Sequence, residues 1–100
     1  MIRGTTPSYT FTFPFAISTL STLYISFGQA MDDLAINKAL SDCTVDGNSV
    51  TVELTQQDTL ALSADRPVFI QIRAKTTGGI AYASDMAKIN LGDVIKEGVI

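Results

Sequence analysis

Val68-Phe69-Ile70-Gln71-Ile72-Arg73-Ala74-Lys75 is the stretch whose reading decides the fold. Val68, Ile70, Ile72 and Ala74 share one parity; Phe69, Gln71, Arg73 and Lys75 share the other. Successive side chains on a strand point to opposite faces, so the run makes a sheet with one apolar and one wet face. The pattern recurs upstream. Tyr9, Phe11 and Phe13 alternate with Ser8, Thr10 and Thr12; Leu23, Ile25 and Phe27 with Tyr24, Ser26 and Gly28; Val50, Val52 and Leu54 with Ser49, Thr51 and Glu53. Residues 34–40 fit either a strand or a short helix, and in this company a strand is favoured.

Turn signals separate these runs. Asp46-Gly47-Asn48 supplies the positive φ of a tight hairpin between a short strand at 43–45 and its return at 49–54, and Thr77-Gly78-Gly79 closes a second hairpin onto 80–91. Pro14 cannot donate to a ladder, which places the strand over 8–13 at an edge or ends it there. A turn is expected over 18–22 and another at Asp32 and Asp33. Thr55-Gln56-Gln57-Asp58 reads as a capping box opening one helical turn over 56–60, which crosses between sheets and drops Leu60 and Leu62 into the core. Asp65-Arg66-Pro67 stops that segment.

The expectation is an all-β protein: an immunoglobulin-like antiparallel β-sandwich of about seven strands with one short helical turn. Its expected core is Phe11, Phe13, Leu23, Ile25, Phe27, Val50, Val52, Leu54, Leu60, Ile70 and Ile72. The chain divides into an extended N-terminal arm (1–7), the sandwich (8–91) and a C-terminal tail (92–100). With 100 residues it holds one core and not two. The disulfide and buried Trp of antibody domains are both missing.

Composition narrows the chemistry. Charged residues make up only 17%, against roughly 25% in typical domains, which suits a surface packed against neighbours. The net charge is −3, and the seven basic residues are scattered singly. Nucleic-acid binding needs clustered cations, so no nucleic-acid partner is expected. The apolar stretches are strand-length, short of the roughly 20 residues of a spanning helix, and the first residues have no apolar signal core, so neither membrane insertion nor secretion is expected. Cys43 is the single cysteine and reads as a small buried hydrophobe. Without His there is no ordinary base for a Ser or Cys nucleophile, and no enzyme, catalytic residue, metal or cofactor is expected. Asp42, Asp46 and Asn48 offer oxygens for calcium, but their spacing is not that of a calcium loop and turn chemistry explains them.

What remains is contact with other proteins. The Thr-rich arm, with Thr5 and Thr6, suits addition to a neighbour's sheet edge. Tyr9, Tyr24, Phe69 and Tyr82 are aromatics for which alternation leaves room outside one core, and Val99 and Ile100 end the chain on apolar side chains. Removing 1–7, or Val99 and Ile100, is expected to weaken assembly and leave the fold intact.

Five segments carry a resemblance: Met1-Ile2-Arg3-Gly4-Thr5-Thr6-Pro7; Tyr9-Thr10-Phe11-Thr12-Phe13-Pro14-Phe15; Asp42-Cys43-Thr44-Val45-Asp46-Gly47-Asn48; Leu54-Thr55-Gln56-Gln57-Asp58-Thr59-Leu60; and Lys75-Thr76-Thr77-Gly78-Gly79. Through them the chain resembles a group of short proteins encoded in phages and prophages of Gram-positive gut bacteria. The resemblance implies a viral origin and a virion-associated role in a tail, baseplate or capsid assembly. The partners would then be other virion proteins, in a homo-oligomer or multicopy arrangement. It transfers no functional residue, because the shared motifs are turns, alternation and a capped turn. The alternative is a soluble phage accessory protein that blocks a host defence factor or sequesters a ligand.

Overall fold

Eight strands and one helical turn follow one another in a computed structural model that describes residues 1–30 and 33–100. The strands are β1 (Ser8–Thr12), β2 (Leu20–Ala30), β3 (Asp33–Ala39), β4 (Thr44–Asp46), β5 (Ser49–Glu53), β6 (Val68–Thr76), β7 (Ala81–Ala83) and β8 (Ala87–Ile89); α1 (Gln56–Leu60) lies between β5 and β6. Of the turn expected at Asp32 and Asp33, Asp32 lies outside the described residues.

The strands form two antiparallel sheets. One has the order β1-β5-β4; the other runs β3-β2-β6-β7, with β8 also on β6. The chain crosses between sheets after β1, β3 and β5, a Greek-key path. These orders match B-E-D and C′-C-F-G of an immunoglobulin sandwich, without the outermost strand A beside β1. The fold is the expected all-β sandwich.

The core lies where the alternation of β2, β5 and β6 points inward. Leu23, Ile25, Phe27, Val50, Val52, Leu54, Val68, Ile70, Ile72 and Ala74 are buried, joined by Ile17, Leu20, Ile36 and Leu62. Register sets Ile25 opposite Ile72 and Phe27 opposite Ile70, so large side chains face each other across the two longest strands.

The structure corrects the expected core at several places. Phe11 and Phe13 pack against it but are only half-buried, because no strand of the described residues covers the far side of β1. In α1 it is Thr59 that is buried, while Leu60 is half-exposed; the Thr59 hydroxyl donates to the Thr5 carbonyl at 3.0 Å. The turn expected over 18–22 is a 3₁₀ turn at Ile17–Thr19 running straight into β2. A register shift between Leu20 and Thr22 lets Leu20 and Leu23 both face inward, an irregularity that strict alternation cannot show.

The readings of the hairpin turns and of the helix cap hold. Gly47 (φ 62°) turns the β4–β5 hairpin, and Gly79 (φ 92°) closes the hairpin of β6 and β7. The Thr55 hydroxyl accepts from the Asp58 N–H at 3.0 Å, and the Asp58 carboxylate accepts from the Thr55 N–H at 2.9 Å, completing the capping box. The segment returning over 80–91 is two strands rather than one. Between the pairs Arg73–Ala83 and Ile70–Ala87, the returning chain holds one residue more than β6. This bulge centres on Ser84, whose hydroxyl replaces a carbonyl as acceptor of the Ile72 N–H at 2.9 Å.

Candidate contact surface

The edges of the two sheets differ in how open they are. An edge strand presents unpaired N–H and C=O groups, and proteins blunt such edges with short strands, bulges or inward-pointing charges. β4 is three residues long and ends at Asp46. β7 and β8 are broken by the Ser84 bulge. β3 carries Lys38 on the parity of buried Ile36, and its ammonium meets Asp58 on α1 at 2.9 Å. Lys38 therefore points inward. The Asp58 carboxyl is raised by burial but lowered more by the Thr55 N–H and by Lys38, so its pKa ends below the ordinary value.

β1 carries none of these guards. Among the described residues it pairs only with β5, in the register Ser8–Glu53 to Thr12–Ser49. The bonds Leu54 N–H to Pro7 O (3.0 Å) and Phe13 N–H to Asn48 O (2.9 Å) bracket this ladder. Hydrogen-bonding direction alternates along a strand, so Tyr9 and Phe11 also face β5, and the N–H and C=O groups of Ser8, Thr10 and Thr12 face outward. On the sheet's outer surface the Thr10 and Thr51 hydroxyls lie 2.9 Å apart, and those of Thr12 and Ser49 3.1 Å apart.

Behind this edge runs a half-buried aromatic row. Tyr9 packs on Phe27 with ring centroids 5.9 Å apart, and burial pushes its phenol pKa up. Phe13 meets Phe15, which stacks on Tyr82 at 5.6 Å and 25°. Phe13, Phe15 and Tyr82, with Ile72, Ala74, Ala83 and Ser84, line an apolar cleft of about 160 Å³. It lies where the segment following β1 meets β7.

The residues expected at contacts fall in separate places. Tyr9 and Tyr82 belong to the aromatic side of this opening. Tyr24 and Phe69 lie on the outer face of the larger sheet, Tyr24 opposite Arg73 and Phe69 opposite Gly28, with the Ser26–Gln71 pair between them. Thr5, Thr6, Val99 and Ile100 are all exposed, near α1: the Thr5 carbonyl accepts from Thr59, and the Ile100 N–H donates to Gln56 Oε1 at 2.8 Å.

Residues 1–7 are bound within their own chain. Ile2 bridges Gly92 in parallel, with Arg3 N–H to Gly92 O at 2.9 Å and Gly92 N–H to Met1 O at 2.8 Å. The Arg3 guanidinium reaches Asp93, Glu97 and the carbonyls of Leu60 and Leu62. Removing 1–7 would strip these partners from the sandwich, so that truncation is not confined to an interface.

Phe13 and Phe15 were absent from the expected contact residues. One signal in the chain marks them: no Asp, Glu, Lys or Arg occurs from Gly4 to Met31. Asp42 and Asn48 serve turns, with Asp42 Oδ2 accepting from the Ala39 N–H and Asn48 Nδ2 donating to the Phe13 carbonyl, both at 2.9 Å. Among the described residues no three His, Cys, Asp or Glu side chains converge as metal ligands, and no helix is long and apolar enough to cross a membrane. Comparison with protein-family models, curated proteins and solved structures finds no match to this chain.

Proposed function

We propose that this chain is a structural protein that works by protein–protein contact, as a multicopy component of a bacteriophage particle, and that it is not an enzyme. The observation that supports contact as its chemistry is the unguarded β1 edge, flanked by a half-exposed aromatic row. Backbone groups at such an edge gain hydrogen bonds only from a partner strand, and the rings behind it leave water only when one arrives. The phage assignment rests on the sequence resemblance alone. The test is mass spectrometry of purified particles from a host carrying the gene: stoichiometric peptides from this chain support the reading, and their absence from intact particles overturns it.

A further inference from the structure

We propose that two copies of this chain pair β1 against β1 about a two-fold axis centred on Thr10, joining their three-stranded sheets into one. This rests on the contact reading and names the partner as a second copy. Three observations carry it.

Charge comes first. Each copy has a net charge of −3, so two copies approach most easily where neither presents charge. β1 lies inside the uncharged run from Gly4 to Met31, whereas β3 carries Lys38, β4 ends at Asp46 and β8 carries Lys88. A charge-bearing partner would find no complementary group along β1, while a second β1 is matched to it.

Register comes second. Antiparallel pairing centred on Thr10 sets Ser8 opposite Thr12 of the second copy and Thr10 opposite itself. All outward N–H and C=O groups of these residues are then exchanged. A shift of two residues leaves one of the three unpaired in each copy. On the inner face Tyr9 meets Phe11, and Pro7 meets Phe13 at the mouth of the apolar cleft, so the half-buried row is covered by its own kind.

The limits of the strand come third. Pro7 and Pro14 flank β1; Pro7 faces β5, where its carbonyl accepts from Leu54, whereas Pro14 lies on the outward parity and opposes Thr6 of the second copy at both ends of the pairing with no N–H to donate. Pairing therefore stops after one short segment and gives a discrete dimer. An isologous contact of this kind closes on itself.

The test uses the full chain, sedimentation equilibrium and charge variants at the axis. The wild type is expected to show a reversible monomer–dimer equilibrium. Thr10→Lys and Thr10→Glu each place like charges directly opposite and are expected to raise the dimer dissociation constant by roughly tenfold or more at low salt. An equimolar mixture of T10K and T10E is expected to restore the dimer as a mixed species, which follows only if Thr10 faces Thr10. Thr51→Val, which removes the same hydroxyl pair from the central strand, is expected to leave the dimer unchanged, and circular dichroism confirms the fold of each variant. A wild type that stays monomeric, or T10K and T10E that each dimerise as the wild type does, overturns the proposal. Such a result together with the chain in particles leaves the contact reading standing. A Thr10-dependent dimer with no chain in particles overturns the virion reading alone.

Discussion

Arg3 Nη1 lies 2.6 Å from Asp93 Oδ1, an ion pair between segments ninety residues apart. The same nitrogen meets Glu97 at 2.8 Å, while Nε and Nη2 donate to the Leu62 and Leu60 carbonyls at 2.8 and 2.9 Å. One guanidinium thus binds residues 1–7, the chain after α1 and residues 92–100 together. Its planar fork satisfies carboxylates and carbonyls at once, a geometry that an ammonium lacks.

The Arg3 hydrogen bond, aided by the Val94 N–H, holds the Asp93 carboxyl below the ordinary carboxylate range. A pKa lower in the folded than in the unfolded chain means stability present above the unfolded value, about 3.9, and lost as pH falls through the folded one. Asp93→Asn is therefore expected to lower the melting temperature at pH 7, with the gap to wild type closing as pH falls below about 4. Arg3→Lys is expected to lower it as well. Thermal melts at pH 7 and pH 3 check both; a gap of the same size at both pH values refutes the assignment.

Gln29 is buried, and its amide spans the loop before β6: Nε2 donates to the carbonyls of Ser63 (2.7 Å) and Arg66 (3.1 Å), while Oε1 accepts from the Ser63 N–H at 2.7 Å. Gln29→Leu leaves those backbone groups without partners and is expected to cost about 1–3 kcal/mol. Urea denaturation measures this as a lower midpoint with an unchanged slope.

Thr55→Ala removes half of the capping box and is expected to cost about 1 kcal/mol, whereas Thr55→Ser keeps the accepting oxygen and most of the stability. A matched pair of denaturation curves decides. Equal losses in the two variants would mean that the Thr55 methyl, not its hydroxyl, stabilises the turn.

Cys43 is half-buried, its thiol donating to the Ala39 carbonyl at 3.3 Å. Burial, and then the Asp42 charge, raises its pKa, against a smaller opposing effect of Lys38. The thiolate is the reactive form, so alkylation at pH 7 is expected to be slower in the folded chain than in urea, and to quicken as pH rises. Equal rates in the folded and urea-unfolded chain would contradict this.

Much of this architecture is written locally. Val68–Thr76 declares its two faces through its own alternation, Gly47 and Gly79 declare their turns, and Thr55 with Asp58 declares a helix start, because each depends on neighbours within a few residues. Leu20 escaped because a register shift against β6 moves it to the inner face. Lys38 escaped because its partner, Asp58, lies twenty residues away on another element. Phe13, Phe15 and Tyr82 form one aromatic group only because the segment after β1 meets β7, far along the chain.

The chain alone set the fold class, since period-two burial and tight turns leave a single core few arrangements besides two stacked sheets. Packing settled which strand is left open. Whether a strand's outward N–H and C=O groups find partners depends on which other strands lie beside it, and in a sandwich those neighbours come from distant parts of the chain. β1 is an edge because, among the described residues, no strand flanks it opposite β5, a fact of spatial order that no residue between Ser8 and Thr12 carries by itself.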